Sequence, residues 1–214
     1  MDKSPLEHLK AGLEMFGESA TLADGLWKYA TEMLRWNERV NLTAITNPIE
    51  VVDKHLLDSV AVLPEIEGAK AFLDLGAGAG MPGIPLALVR PHLTGTLVDT
   101  VGKKVAFMKS AIVHVGLAGR VRAEHLRAEG NPQKEKLLPV DPVISRAFMD
   151  VEPWLQLARH YVAPGGKVVA MIGQMPSEAS LRTWSDSAGL KFESAREFKL
   201  PISKDPRGVA VFRA

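Results

Sequence analysis

The stretch FLDLGAGAGMPGIPLA, residues 72–87, places an acid, alternating glycines and two prolines in the order that a strand end, a tight turn and a helix start require. Glycines at such a turn accept positive φ and let backbone amides approach a ligand without a Cβ clash. In a doubly wound sheet, the first strand-to-helix turn lies at the carboxyl edge where ligands bind. Gly78-Ala-Gly80-Met-Pro-Gly83 also matches the G-x-G-x-x-G dinucleotide fingerprint, with Asp99 roughly 20 residues further on, where a ribose-binding acid belongs. Asp74 stands just before Gly76, where its carboxylate opposes a pyrophosphate. A cationic or zwitterionic ligand, such as the aminoacyl end of S-adenosylmethionine, suits that charge better. Asp99, closing GTLVDT, would then accept hydrogen bonds from ribose hydroxyls, or would cap a following helix.

These residues need a sheet to position them, and the chain has the resources to build one. With 214 residues, 46% hydrophobic, it can bury a full core. From residue 71 onward, short apolar runs (AFLDLG, GTLVDT, RVRAEHL, DPVISRAF, GKVVAMIG) alternate with helical stretches expected at 84–90, 102–116, 151–162 and 177–188. That rhythm predicts an α/β fold with a mostly parallel sheet. FESAREFKLP and GVAVFRA, separated by the loop ISKDPRG, predict a terminal antiparallel hairpin. Residues 127–142 are polar and read as a surface connection. Before residue 66 the pattern is helical: Leu22, Leu26, Tyr29, Ala30, Met33 and Leu34 share one face, with Ser19 or Thr21 as cap. Val51, Val52, His55, Leu56, Ser59 and Val60 share another, after Asn47-Pro48.

Several classes are excluded. No uninterrupted apolar run approaches the ~18 residues of a membrane span, and charges throughout residues 1–20 leave no signal-peptide core, so a soluble, cytoplasmic protein is expected. Without cysteine, and with six histidines in no HxxxH or HExxH pair, no disulfide and no dedicated metal site is expected. The net charge of +1 demands local basic clustering for any nucleic-acid contact. Lys103 and Lys104, with Lys109 beyond, supply positive charge at the helix start after Asp99, and Arg207 does so in the hairpin loop.

DLGAGAGMPGIPLALVRP, VDTVGKKVAFMK, RVRAEHL and DPVISRAF, preceded by RWNERVNLTAITNPIEVVDKHLLDSVAVLP, resemble the RsmG (GidB) family over residues 26 to about 176. The combination of NLT, HxxDS, GxPGIP and ISRAF is the specific part. The resemblance implies a seven-stranded class I S-adenosylmethionine-dependent methyltransferase fold at 67–214 behind a helical extension at 1–66. It implies methyl transfer to guanine N7 in the 530 loop of 16S ribosomal RNA, with the RNA or the small ribosomal subunit as partner; a monomer is expected. Carried over, Gly76 and Met81 belong to the loop binding the donor's methionine and ribose parts, Ala123-Glu124 frame the adenine, and Arg146 reaches into the cofactor and substrate site. Asp74, Gly78, Gly80 and Asp99 agree with it. Arg35, Trp36, Asn37, Asn41, His55 and Asp58 match the RWN, NLT and HxxDS elements and are expected as a cap over the cofactor site. Asn41, His55 and Arg146 would position the guanine, and Arg35 would touch RNA. One departure is Ile172, where many family members carry lysine. A nicotinamide-dependent oxidoreductase and a non-enzymatic ribosome-assembly factor with a retained pocket are the rival readings.

Overall fold

A computed structural model describes residues 3–146 and 149–214, so the last two residues of the ISRAF motif lie outside the described residues. Seven strands, β1 (Ala71–Leu75), β2 (Thr94–Asp99), β3 (Val121–His125), β4 (Val143–Arg146), β5 (Lys167–Ile172), β6 (Lys191–Lys199) and β7 (Pro206–Arg213), form one sheet in the order β3-β2-β1-β4-β5-β7-β6. The first five are parallel, and β7 runs antiparallel to both β5 and β6. Both the parallel sheet and the terminal hairpin are as the sequence predicts. Strand β1 pairs with β2 on one side and β4 on the other. The chain therefore leaves it in opposite directions, opening a crevice beyond the carboxyl ends of β1 and β4.

The expected helices appear as α5 (Gly83–Val89), α6 (Gly102–His114), α8 (Val151–Ala158) and α9 (Glu178–Ser187), each ending short of its expected limit. Behind α6 and α9 stand Gly116 (φ 76°) and Gly189 (φ 65°), whose left-handed backbone stops a helix. The polar connection 127–142 is more than surface: it folds a short helix, α7 (Pro132–Glu135), and buries Leu137.

The N-terminal extension begins with α1 (Pro5–Met15), started by a capping box between Ser4 and Glu7. Ser19 caps a short turn, Ala20–Leu22, and α2 (Ala23–Val40) follows. Asn47 caps α3 (Pro48–Val51), which passes into a π-helical turn, Val52–Leu57, and then into α4 (Asp58–Val60). Leu9, Leu13, Leu26, Tyr29, Met33 and Leu57 are fully buried in the same apolar cluster as Ile84, Phe107 and Val169. The extension thus covers one sheet face together with α5 and α6, while α8 and α9 cover the other.

Candidate cofactor and substrate site

The chain turns at the carboxyl end of β1 by folding back on its neighbour: the amides of Gly76 and Ala77 both donate to the Val98 carbonyl, at 2.9 and 3.0 Å. Gly76, Gly78 and Gly80 have φ of 75°, 60° and 91°, so each glycine sits where a side chain would strain the backbone. The Gly78 amide donates to Asp99 Oδ2 and the Val101 amide to Asp99 Oδ1, both at 2.8 Å. Asp99 therefore ties the glycine loop to the chain entering α6, but it is not that helix's cap: the capping position is Val101, and no side chain caps it. Asp74 is fully buried, and its Oδ2 accepts the Gly83 amide at 2.9 Å. A Cβ on Gly83 would come within 2.2 Å of Leu97 Cδ2 and 3.0 Å of Asp74 Oδ2, so only glycine allows this approach.

Asp74 Oδ1, in contrast, is buried with no hydrogen-bond partner among the described residues. Burial is the main force on this carboxyl and pushes its pKa from 3.8 to about 7, against the Gly83 amide and Arg146, which pull it down. An unpaired buried carboxylate oxygen at the foot of a glycine loop is poised for a cation. The amino group of S-adenosylmethionine fits that demand, and a pyrophosphate does not.

On the other side of the loop, Arg146 ends β4 and is drawn into the extension. Its Nη1 donates to the Lys54 carbonyl at 3.0 Å and to Asp58 Oδ2 at 3.1 Å; its Nη2 lies 3.4 Å from His55 Nδ1 and 3.6 Å from Met81 Sδ. Lys54 and His55 lie in the π-helical turn, and such wide turns recur at functional sites. Asp58 takes a second arginine: Arg207 Nε lies 3.6 Å from its Oδ1. Burial raises the Asp58 pKa while the two guanidinium groups lower it. His55, buried beside Arg146, is pushed down from 6.5 to about 4, which keeps its ring neutral at physiological pH.

Other expected residues divide. Asn37 organises the NLT turn: its Oδ1 accepts from the Leu42 and Thr43 amides and its Nδ2 donates to the Thr43 carbonyl. Thr43 Oγ1 in turn lies 2.8 Å from His55 Nε2. Asn41 is exposed at the end of α2 with φ 49°, a conformation asparagine tolerates, and among the described residues its side chain has no hydrogen bond to the Arg146 cluster. Trp36 packs edge-on against Phe107 and donates to Glu32, while Arg35 is ion-paired with Glu32 at 2.6 Å and stays 69% exposed. Ala123 is buried on β3, and Glu124, in register with Val98, reaches Arg122 at 3.7 Å. Lys103 is exposed and Lys104 half-buried. Arg207 is a correction: it lies on β7 rather than in the hairpin loop, because Pro206 at the strand start costs no ladder amide.

Between Arg146, Lys54, Ile45 and Arg207 lies a cavity of about 370 Å³, and Met171, Ile172 and Gly173 form a wall shared with a neighbouring trough of about 420 Å³ containing Met149 and Trp184. A further concavity of about 560 Å³ opens near the amino-terminal ends of β1–β3, away from Asp74, Asp99 and Arg146. No cluster of side chains suited to a metal occurs among the described residues, and no helix there is long and apolar enough to cross a membrane.

Residues 23–202 match the family model described as rRNA small subunit methyltransferase G, GidB. The chain belongs to the GidB family. It is 52% identical to the ribosomal RNA small subunit methyltransferase G of Myxococcus xanthus (strain DK1622) over 215 residues, 99% of each chain. It is 46% identical to the protein of that name from Anaeromyxobacter sp. (strain Fw109-5), over 88% of this chain and 87% of the relative. A solved SAM-dependent methyltransferase from Aquifex aeolicus shares the fold with a TM-score of 0.54 at 18% identity, covering 77% of this chain and 93% of that one. Membership of the GidB family sets aside the nicotinamide-dependent oxidoreductase reading.

Proposed function

We propose that this protein transfers a methyl group from S-adenosylmethionine to N7 of a guanine in the 530 loop of 16S ribosomal RNA. The observation that carries the reading is the buried Asp74 Oδ1, without a partner among the described residues and beside a glycine loop that Arg146 contacts at Met81. Asp74 would meet the donor's ammonium, Gly76, Gly78, Gly80 and Met81 its methionine and ribose parts, Asp99 the ribose hydroxyls, and Ala123 and Glu124 the adenine. When bound, the donor supplies an electrophilic methyl on a sulfonium. Guanine N7 offers a lone pair and carries no proton, so the site needs no general base and its work is alignment. The neutral His55 agrees with that. Arg146, fixed by the Lys54 carbonyl and Asp58, sets the position of the base, and buried carboxylates favour the positive charge that develops on the purine.

Arg35, Lys103, Lys104 and Arg207 would contact phosphates, which position a substrate without reading its sequence. Lys54 lines the same cavity as Ile172, with its ammonium paired to Glu50 at 2.9 Å and to Asp205 at 3.7 Å. The reading includes a cytoplasmic monomer acting on the RNA or the small subunit. Incubation with labelled S-adenosylmethionine and small-subunit RNA or particles, followed by cleavage at base-labile N7-methylguanine, tests it. A single cleavage in the 530 loop is expected. Donor binding without methylation would favour an assembly factor instead.

A further inference from the structure

The glycine loop is contacted from the sheet, by Asp99 and Arg146, and from the helical extension. Tyr29, on α2 and fully buried, donates its hydroxyl to the carbonyl of Ala79 at 2.5 Å. Ala79 lies between Gly78 and Gly80, the two positive-φ residues at the crest of the loop. Around it on α2, Leu26, Ala30 and Met33 are all fully buried. A phenylalanine would fill the same space against Phe107, whose ring centroid lies 6.3 Å away. Carrying a hydroxyl into an apolar core costs free energy unless it is hydrogen-bonded, and here its hydrogen-bond partner is a carbonyl of the loop. Three neighbouring loop residues are thus held by three separate elements: Gly78 by Asp99, Ala79 by Tyr29 and Met81 by Arg146.

We propose that Tyr29 is a positioning residue for the donor site: its hydroxyl holds the glycine loop in the binding-competent shape, which makes the helical extension a structural part of the cofactor site. The inference rests on the proposed methyl-donor reading. Without the hydroxyl, Ala79 regains freedom to turn its carbonyl elsewhere, the competent fraction of the free protein falls, and apparent donor affinity falls with it. Burial pushes the Tyr29 pKa up, so the group remains a donor throughout the working range.

The test is Tyr29→Phe, which keeps the ring and removes the oxygen. Binding of S-adenosylmethionine and S-adenosylhomocysteine is measured by calorimetry, with amide exchange of residues 76–81 in the free and bound protein. Loss of one neutral hydrogen bond predicts a Kd raised about 3- to 10-fold. Exchange should be faster in the free loop only, with kcat at saturating donor and KM for RNA unchanged. Met33→Ala, which opens a cavity in the same helix face, should lower the melting temperature and leave the donor Kd near that of the wild type. A Tyr29→Phe protein that melts lower but binds the donor as the wild type does would overturn the proposal while leaving the proposed function intact. A wild-type protein that binds neither ligand would overturn both.

Discussion

Replacing Asp74 with asparagine should move stability and affinity in opposite directions. In the free protein Asp74 is fully buried and burial lifts its pKa from 3.8 to about 7, which corresponds to about 4 kcal/mol against ionisation. Because the folded value lies above the unfolded one, the stability from this group is complete below the unfolded pKa and is lost as pH rises through about 7. Asparagine removes that loss but brings an amide into a place where Oδ1 has no partner, a cost of about 1–3 kcal/mol. The net gain at pH 8 is about 1–3 kcal/mol, a rise of about 2 to 10 degrees in melting temperature for a chain of this size. The gain should shrink to nothing by pH 5. Donor affinity should move the other way: losing a charge-assisted partner for the ammonium weakens binding about 10- to 100-fold. Thermal melts from pH 5 to 8 beside donor titration check both. Parallel melting curves for the two proteins, or donor affinity kept within about twofold, would refute the argument that this carboxylate is held unpaired for a cation.

Gly83→Ala should cost about 1–3 kcal/mol, since its Cβ meets Leu97 at 2.2 Å, and a urea melt with donor titration should show stability and affinity falling together. Arg146→Ala leaves the buried Asp58 with Arg207 alone; methylation at subsaturating donor should fall at least about tenfold, with a stability loss of about 3 kcal/mol in denaturant. Full methylation by that variant would remove Arg146 from the site. Lys103→Glu/Lys104→Glu should raise KM for RNA and flatten the salt dependence of RNA binding, with donor Kd unchanged in calorimetry. His55, whose folded pKa of about 4 lies below the ordinary 6.5, contributes stability that is present above pH 6.5 and lost as pH falls through about 4. Its imidazole signals in an NMR titration should show no protonation between pH 5.5 and 8.

The parts of the site legible in the sequence are those built by adjacency. Asp74 lies near the end of β1, the glycines follow within a few residues, and Asp99 ends the next apolar run, so strand periodicity alone brings them to one edge. The π-helical turn was not legible. Val51, Val52, Leu56, Leu57 and Val60 are all buried, and an apolar pattern on so many sides of a helix cannot distinguish a wide turn from an ordinary one. Arg207 lies between a proline and a glycine, which reads as loop; only pairing with Phe198 places it on β7, opposite Asp58. Tyr29 was legible as core, but its hydroxyl meets a carbonyl 50 residues away. Contacts of that separation arise from the tertiary fold, and so do the two ties of Asp53 to the Ile202 and Ser203 amides, which fasten the hairpin loop to the extension.

The most direct test is a crystal structure of the protein with S-adenosylmethionine or S-adenosylhomocysteine. The ligand's amino group should lie within hydrogen-bonding distance of Asp74 Oδ1, its ribose at Asp99 and its adenine beside Ala123 and Glu124. A ligand found elsewhere, or an Asp74 still without a partner while the ligand is bound, would contradict the account.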